Sequence, residues 1–475
     1  MTAAAQWRWT GLAGVVSVSL LAFFVSIGGD WDWLVALGDH VRRTASVPDD
    51  VPFAVADTSG WHNVPVLAEV LASLLHATGA RAAVFAHLAA VAVALGVLAV
   101  ASRARGASDL GTAGALATLV VGSLATLGVV RAQTFSLVPF ALLLALLTRQ
   151  HRRPDRGIWW VVPLVVVWGN LHGAALLGVC VLGAYLLVDR LRLRPAETVA
   201  VGVASLVALC VTPQGWLTPR YYLEVFDNVS AQRAEGLWAR PTLGDPFDVV
   251  LLAAAALLVV ALLRTRRPLW EYVAVAGLCA ATASASRHGV WLLFLLVVLG
   301  TGRAVREREP APDGTDAADG ADGGPAPTRA RVPVLVGSVL VLAVAVPVAA
   351  SRGDSVLGAS PEVVAAVVGV AGDDVVLAPA PLSESLAVAG VRLWASNPLD
   401  AFRHEDQAAY LDFLDGHGGD GRGGDGRGGA RAALSGADVV VVRDGSAPQA
   451  LVEGDRGFTA RPCGEGWTCY VRVVV

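Results

Sequence analysis

The run IWWVVPLVVVWGNLHGAALLGVCVLGAYLLV, residues 158–188, decides how the rest of the chain is read. As one straight helix it would be roughly 46 Å long at 1.5 Å per residue, against a hydrocarbon core of about 30 Å. Its middle, Trp168-Gly169-Asn170-Leu171-His172-Gly173, holds two glycines and two polar side chains, which predicts a break. Arginines flank it on both sides: Arg149, Arg152, Arg153 and Arg156 before it, Arg190, Arg192 and Arg194 after it. Basic flanks of this kind face the cytoplasm. The run therefore reads as two short helices that enter the bilayer and return, with Asn170 and His172 near the tip. Non-helical backbone at that depth needs protein or a water-filled cavity beside it.

Outward from this run, further apolar stretches cover 12–27, 82–101, 110–129, 135–147, 198–211, 249–263, 269–285, 290–302 and 332–350. The 475 residues are 55% hydrophobic and only 16% charged, where an average soluble domain is about 25% charged. The deficit points to lipid as the solvent. All basic residues are arginine, and the net charge of −4 gives no reason to expect a nucleic-acid partner. Arg103 and Arg105, the two clusters already named, Arg264, Arg266 and Arg267, and Arg303, Arg306 and Arg308 fall on one side of the path. Only scattered arginines, including Arg42, Arg43, Arg131, Arg220 and Arg287, fall on the other. The first run lacks a small-x-small cleavage site before Gly29-Asp30 and reads as a retained helix.

The expected architecture is a multi-pass α-helical membrane protein of about ten or eleven membrane-embedded helices, one of them a re-entrant or broken pair, with a small α/β extracytoplasmic domain at the C-terminus. In this division residues 1–303 form the transmembrane domain, with long external loops at 28–81 and 213–247. Residues 304–331, rich in Asp, Gly, Pro and Ala, form a disordered cytoplasmic linker; 332–350 is the last transmembrane helix, and 351–475 is the outer domain. The N-terminus lies in the cytoplasm of a bacterial plasma membrane. In the outer domain, β-branched runs at 374–377, 391–395, 438–442 and 469–475 alternate with helical stretches at 361–370 and 404–414, and a glycine-rich repeat at 416–429 reads as a loop. Cys463 and Cys469 flank two glycines. A hairpin there would bring their Cα atoms to about 5.5 Å, within disulfide reach, and an oxidising outer compartment would permit the bond.

The two long loops carry the polar and aromatic residues of interest. The first contains Asp30-Trp31-Asp32-Trp33, Gly38, Pro48-Asp49-Asp50 and Trp61-His62; the second contains Pro213-Gln214-Gly215-Trp216, Tyr221-Tyr222 and Glu235-Gly236-Leu237-Trp238. At these residues the chain resembles the GT-C-type glycosyltransferases, multi-pass enzymes that use polyprenyl-phosphate-linked sugars, and in particular uncharacterised bacterial relatives of the protein mannosyltransferases. The likeness runs through Asp30, Trp31 with Trp33, Gly38, Pro48 with Asp50, and Trp61. It continues in Arg131-Ala132-Gln133-Thr134-Phe135-Ser136, the 168–173 break, Pro213-Gln214-Gly215 and Arg287-His288.

The resemblance implies transfer of a sugar from a polyprenyl-phosphate donor to a cell-envelope glycan, lipid or protein on the outer face. Asp30 would be the general base or the carboxylate that positions the acceptor, with Asp32 in reserve. Arg131, Arg287 and His288 would hold the donor phosphate, and Asn170, His172, Trp61 and Glu235 would line the cavity. The chemistry suits these residue types: the guanidinium fork matches phosphate oxygens, and an acceptor hydroxyl needs a base within hydrogen-bond reach. No cofactor is required by this reading; a divalent metal stays open and no metal ligand is assigned. Two alternatives stand beside it: an inactive scaffold of the same fold, since Leu34 occupies a place where relatives often carry His, and a lipid or solute transporter. Each polar group also has a plainer use, as a helix end at the water boundary, a snorkelling arginine or a satisfied turn.

Overall fold

In the computed structural model, residues 6–301, 327–418 and 429–473 are described. The expected linker, up to residue 326, and most of the glycine-rich loop lie outside the described residues. A bundle of helices makes up the first part: Arg8–Phe24, Ala82–Ala104, Asp109–Gly122, Thr134–Arg152, Val161–Gly169, Ala175–Tyr185, Pro195–Leu209, Pro246–Leu263, Leu269–Ser284 and Gly289–Gly300. The helix Pro327–Ser351 returns to pack against Arg8–Phe24 and Ala82–Ala104.

Among the described residues only Ala82–Ala104 and Pro246–Leu263 are long and apolar enough to cross a membrane by length and composition; nine further apolar helices have 10–17 residues. Their outward faces are as informative as their lengths. Val199, Val203 and Leu206, at helical spacing, are each more than half exposed, as are Leu257 and Leu263, Val339 and Leu340, and Leu12, Val16 and Phe23. Contiguous exposed apolar surface on this scale is not stable in water; in lipid it is the expected outer face of each helix. The interior is aromatic: Phe140 packs against Trp168, Trp291 and Phe294 with ring centroids 5.1–6.2 Å apart. On the arginine-rich side, a buried Arg105–Glu271 pair at 2.8 Å ties Ala82–Ala104 to Leu269–Ser284.

The run 158–188 breaks as its glycines require. Val161–Gly169 ends at Asn170, and Ala175–Tyr185 begins after His172 and Gly173. The two short helices close on each other because Trp168 lies over Gly178, where any Cβ would overlap the indole ring.

The outer domain is built on a four-stranded sheet. Its strands are β3 (Val376–Leu377), β4 (Val439–Arg443), β5 (Phe458–Pro462) and β6 (Trp467–Arg472), in the order β3-β4-β6-β5. The pair β3/β4 is parallel and the other two pairs are antiparallel. In β4, Val439 and Val441 face one core with Val363, Val367, Leu386 and Cys469. Val440 and Val442 face a second core with Trp394, Phe402, Tyr410 and Phe413. This two-sided burial explains an unbroken Val-Val-Val-Val run where a half-exposed strand would alternate with polar residues. Cys463 and Cys469 are joined by a disulfide with Cα atoms 5.6 Å apart, at a turn where Gly464 and Gly466 both take positive φ.

The first long loop extends this sheet. The Val55 N–H donates to Leu393 O at 2.8 Å and the Ala56 N–H to Trp394 O at 3.0 Å, while the Leu393 N–H donates back to Phe53 O at 2.8 Å. The second long loop is tied in by the Val229 N–H donating to Gln407 Oε1 (2.9 Å) and by Arg233 paired with Asp412 (2.8 Å). The outer domain thus sits on both loops and roofs the bundle.

Candidate active site

Asp30 and Arg131 are brought together by two very short strands, β1 (Ser26–Ile27) and β2 (Val129–Val130). They pair in parallel, Ser26 with Val129 and Ile27 with Val130. The Gly28 N–H continues the ladder by donating to Val130 O at 3.0 Å. The approach is close enough that a Cβ on Gly28 would meet Val129 Cγ1 at 2.7 Å. Arg131 follows β2 directly, and Asp30 lies in the first turn of the helix Gly29–Thr44.

Around them a cavity opens in two joined chambers, an inner one of 210 Å³ and an outer one of 370 Å³. Both are lined by Asp30, Arg131, His172, Tyr221, Trp238 and Arg287. The inner chamber continues past His288 and Trp291 to Leu176, Leu177 and Cys180. Cys180 is exposed on the outside of its helix, so this end gives onto the apolar belt. The outer chamber continues to Trp61, Asn397, Asp400 and Tyr410.

Several side chains are fixed by their neighbours. The Trp168 indole N–H donates to Ser136 Oγ at 2.7 Å, and Ser136 Oγ lies 2.9 Å from His172 Nδ1. The Ala174 N–H donates to the same Nδ1 at 3.2 Å. Nδ1 is therefore the acceptor, Ser136 donates to it, and His172 carries its proton on Nε2, the nitrogen left for the cavity. The Arg287 guanidinium stacks over the Trp238 ring at 4.1 Å, which leaves its in-plane N–H groups for an anion. Gly173 allows the Tyr221 hydroxyl to approach the break; a Cβ there would lie 3.3 Å from it.

The outer domain adds carboxylates. The Glu384 carboxyl is fully buried; Oε1 accepts from Asn397 Nδ2 at 2.6 Å and Oε2 from Ser383 Oγ at 3.0 Å. It lies so close to the residue before Asp30 that a Cβ on Gly29 would be 2.9 Å from it. Burial pushes Glu384 above the usual carboxylate range. Burial raises Asp400 to about 6, against a hydrogen bond from its own backbone N–H and the pull of the Arg287 charge.

Of the residues singled out from the sequence, Asp30, Arg131, His172, Arg287, His288 and Trp61 line this cavity. Three do not. Asp32 turns away and accepts from Ser385 Oγ at 2.6 Å, and burial raises it to about 6; positions two apart on a helix point about 200° apart, to opposite faces. Asn170 caps backbone instead, donating to Val166 O at 2.8 Å and Val211 O at 2.6 Å. Glu235 lies 4.0 Å from Arg233 at the loop surface. Sequence reasoning missed Asn397 and Asp400, and gave Trp238 and Tyr221, noted only as residues of the second loop, no role at the site. No motif marks the first two, because they reach the cavity only through the docking of a distant domain. Among the described residues no group of three or more His, Cys, Asp or Glu side chains is arranged to hold a metal ion.

By sequence, no family profile and no curated protein matches the chain. By structure, it is similar to ArnT from Cupriavidus metallidurans in the apo state, with a TM-score of 0.52 and 13% identity over 99% of both chains. It is similar to the arabinofuranosyltransferase AftD from Mycobacteria (TM-score 0.51, 18% identity), covering 98% of this chain and 41% of that one. A third likeness is to the archaeal oligosaccharyltransferase AglB from Archaeoglobus fulgidus in complex with an inhibitory peptide and a dolichol-phosphate (TM-score 0.50, 12% identity), over 98% and 74% of the two chains. The chain has the GT-C fold. In this GT-C fold, the cavity lies where the bundle meets the two long loops and the outer domain.

Proposed function

We propose that this chain transfers a sugar from a polyprenyl-phosphate donor to an acceptor of the cell envelope on the outer face of a bacterial plasma membrane. One observation carries the reading: Asp30, two arginines and His172, from four separated segments, line a single cavity that runs from the apolar belt to a polar outer chamber. The polyprenyl tail would leave through the inner chamber past Leu176 and Leu177. Its phosphate would lie between Arg131 and Arg287, with the His172 Nε2–H as a further donor. The acceptor hydroxyl would approach from the outer chamber.

As the acceptor oxygen attacks the anomeric carbon, its proton passes to the Asp30 carboxylate. The carbon–oxygen bond to the phosphate breaks, and its electron pair leaves with the polyprenyl phosphate. The guanidinium groups compensate the charge that develops on that leaving group, a use that matters most in a site shielded from water. AglB was solved with dolichol-phosphate, which supports a lipid phosphate as ligand of this fold. Orientation follows from the arginines: the arginine-rich ends of the helices face the cytoplasm, and the cavity and the outer domain face outward.

The test has two parts. Mass spectrometry of the purified protein should find bound polyprenyl phosphate. Asp30→Asn keeps size and removes charge, and should lower transfer by about 10²–10⁴-fold, the usual contribution of a positioned base, without loss of folded protein. Transfer at the parent rate by the Asn variant would refute the assignment.

A further inference from the structure

Beyond the outer chamber lies a third cavity of 360 Å³, which shares Trp61 and Asp400 with it. It is walled by residues 57–61 of the first loop, 220–227 of the second and 400–407 of the outer domain, and by no helix of the bundle. Its lining is charged on every side: Arg403 with Asp57 and His404 with Asp227 at 3.9 Å bridge the outer domain to the two loops, and Arg220 pairs with Glu224 at 2.8 Å within the second loop. These side chains are largely exposed, and surface pairs of this kind contribute about 0–1 kcal/mol each. Stability therefore gives little reason to gather them round one trough. Carboxylates and guanidinium groups at such density form a surface that accepts from and donates to hydroxyls.

The trough leads to the proposed reaction chamber through Asp400, which lines both cavities and is coupled electrostatically to Arg287 and Asp30. An acceptor held in lipid would need an apolar path, and this trough offers none from the bundle. A peptide adding a strand to the outer sheet would need an open edge; the edge beside the trough is already paired with residues 53–56. Accepting the glycosyl-transfer reading above, we infer that the acceptor is a hydroxyl-rich glycan chain lying along this trough, with Asp400 holding the sugar nearest to Asp30.

The experiment uses the full chain in nanodiscs, probed with neutral hexose and pentose oligosaccharides by saturation-transfer NMR, and separately with undecaprenyl phosphate. The double variant Asp227→Ala, Arg403→Ala changes the trough alone. It should weaken oligosaccharide binding about tenfold, the scale of one lost charge-assisted hydrogen bond, and leave undecaprenyl phosphate binding unchanged. Asp400→Asn should weaken oligosaccharide binding similarly. Protein that binds undecaprenyl phosphate but no oligosaccharide, or whose oligosaccharide binding ignores both variants, overturns the inference. So does a hydroxyl-bearing peptide that binds instead and is weakened by the same variants. Failure of undecaprenyl phosphate to bind counts against the donor reading, and oligosaccharide binding still decides the trough.

Discussion

Single side chains at this site do work that their residue type alone does not announce. Asp30 and Asp32 are two positions apart in one helix, yet one lines the cavity and the other latches Ser385 of the outer domain. Trp238 matters through Arg287. Removing the ring in Trp238→Ala takes away a stacked cation worth about 0.5–2 kcal/mol, so polyprenyl-phosphate affinity should fall several-fold with the fold intact; unchanged affinity would show that Arg287 needs no support. Glu69 offers a pH test. It is completely buried, accepts one hydrogen bond from Asn63 Nδ2 at 3.1 Å, and burial pushes it up to about 8. The folded state therefore holds a proton that the unfolded chain releases near pH 4.5. Stability from this residue is complete at low pH and declines as pH rises through that window to about 8. Glu69→Gln can keep the Asn63 bond without the ionisation. Melting temperatures should fall between about pH 5 and pH 9 for the parent and fall less for the variant; parallel curves would contradict it.

At the scale of elements, close helix contact sets the geometry beneath the roof. Gly29–Thr44 crosses Val66–Ala77 at Gly38, where any Cβ would overlap the Glu69 carbonyl oxygen and crowd Ser73. A second contact holds the same pair: Ser73 Oγ donates to Asp39 and accepts from Arg42 Nη1 at 2.8 Å. Gly38→Val should force the helices apart at about 1–3 kcal/mol, the usual range for overpacking, and lower the melting temperature; a variant as stable as the parent would mean the pair gives way easily. These elements also show what sequence could and could not reveal. The break at 168–173 was readable because two glycines and two polar side chains cannot sit at the centre of a straight lipid-facing helix without cost. The lipid-facing helices were readable from apolar length, although several are shorter than a full span. The expected outer strands at 374–377, 438–442 and 469–475 appear as β3, β4 and β6, with β5 as the other arm of the expected hairpin; the expected strand at 391–395 is reduced to isolated bridges at Leu393, and the helix Leu382–Val388 was not anticipated. That helix carries Ser383, Glu384 and Ser385 in a stretch without strong periodicity, and it acquires meaning only by packing on Gly29–Thr44. The convergence of Asp30 with Arg131 depends on a two-residue strand pair too short to leave a pattern. Asp400 and Asn397 reach the cavity by domain docking, which no local spacing records.

For the whole molecule, the proposed chemistry requires that the cavity and the outer domain share one side of the membrane. Two features of the chain bear on which side. The buried and surface arginines at 103–105, 149–156, 190–194 and 264–267 sit at the helix ends remote from Asp30, where the positive-inside rule places the cytoplasm. Cys463 and Cys469 form a disulfide, and such bonds persist in oxidising compartments and are rare in a reducing cytoplasm. Under the proposed function, the donor sugar would be presented at the face where Asp30 lies. A reporter enzyme active only outside the cytoplasm, fused after Val475, should therefore be active, and the same reporter inserted near Asp316 should be silent. Loss of the disulfide in a paired Cys463→Ser, Cys469→Ser variant should lower the thermal stability of the outer domain but leave the Val475 fusion active, because topology is set by the arginines and not by the sulfur bridge. An inactive reporter at Val475 with an active one at Asp316 would invert the map. It would place the disulfide in the cytoplasm and require a donor sugar on the cytoplasmic face, so the glycosyl-transfer reading would have to change its substrate side before any residue assignment could stand.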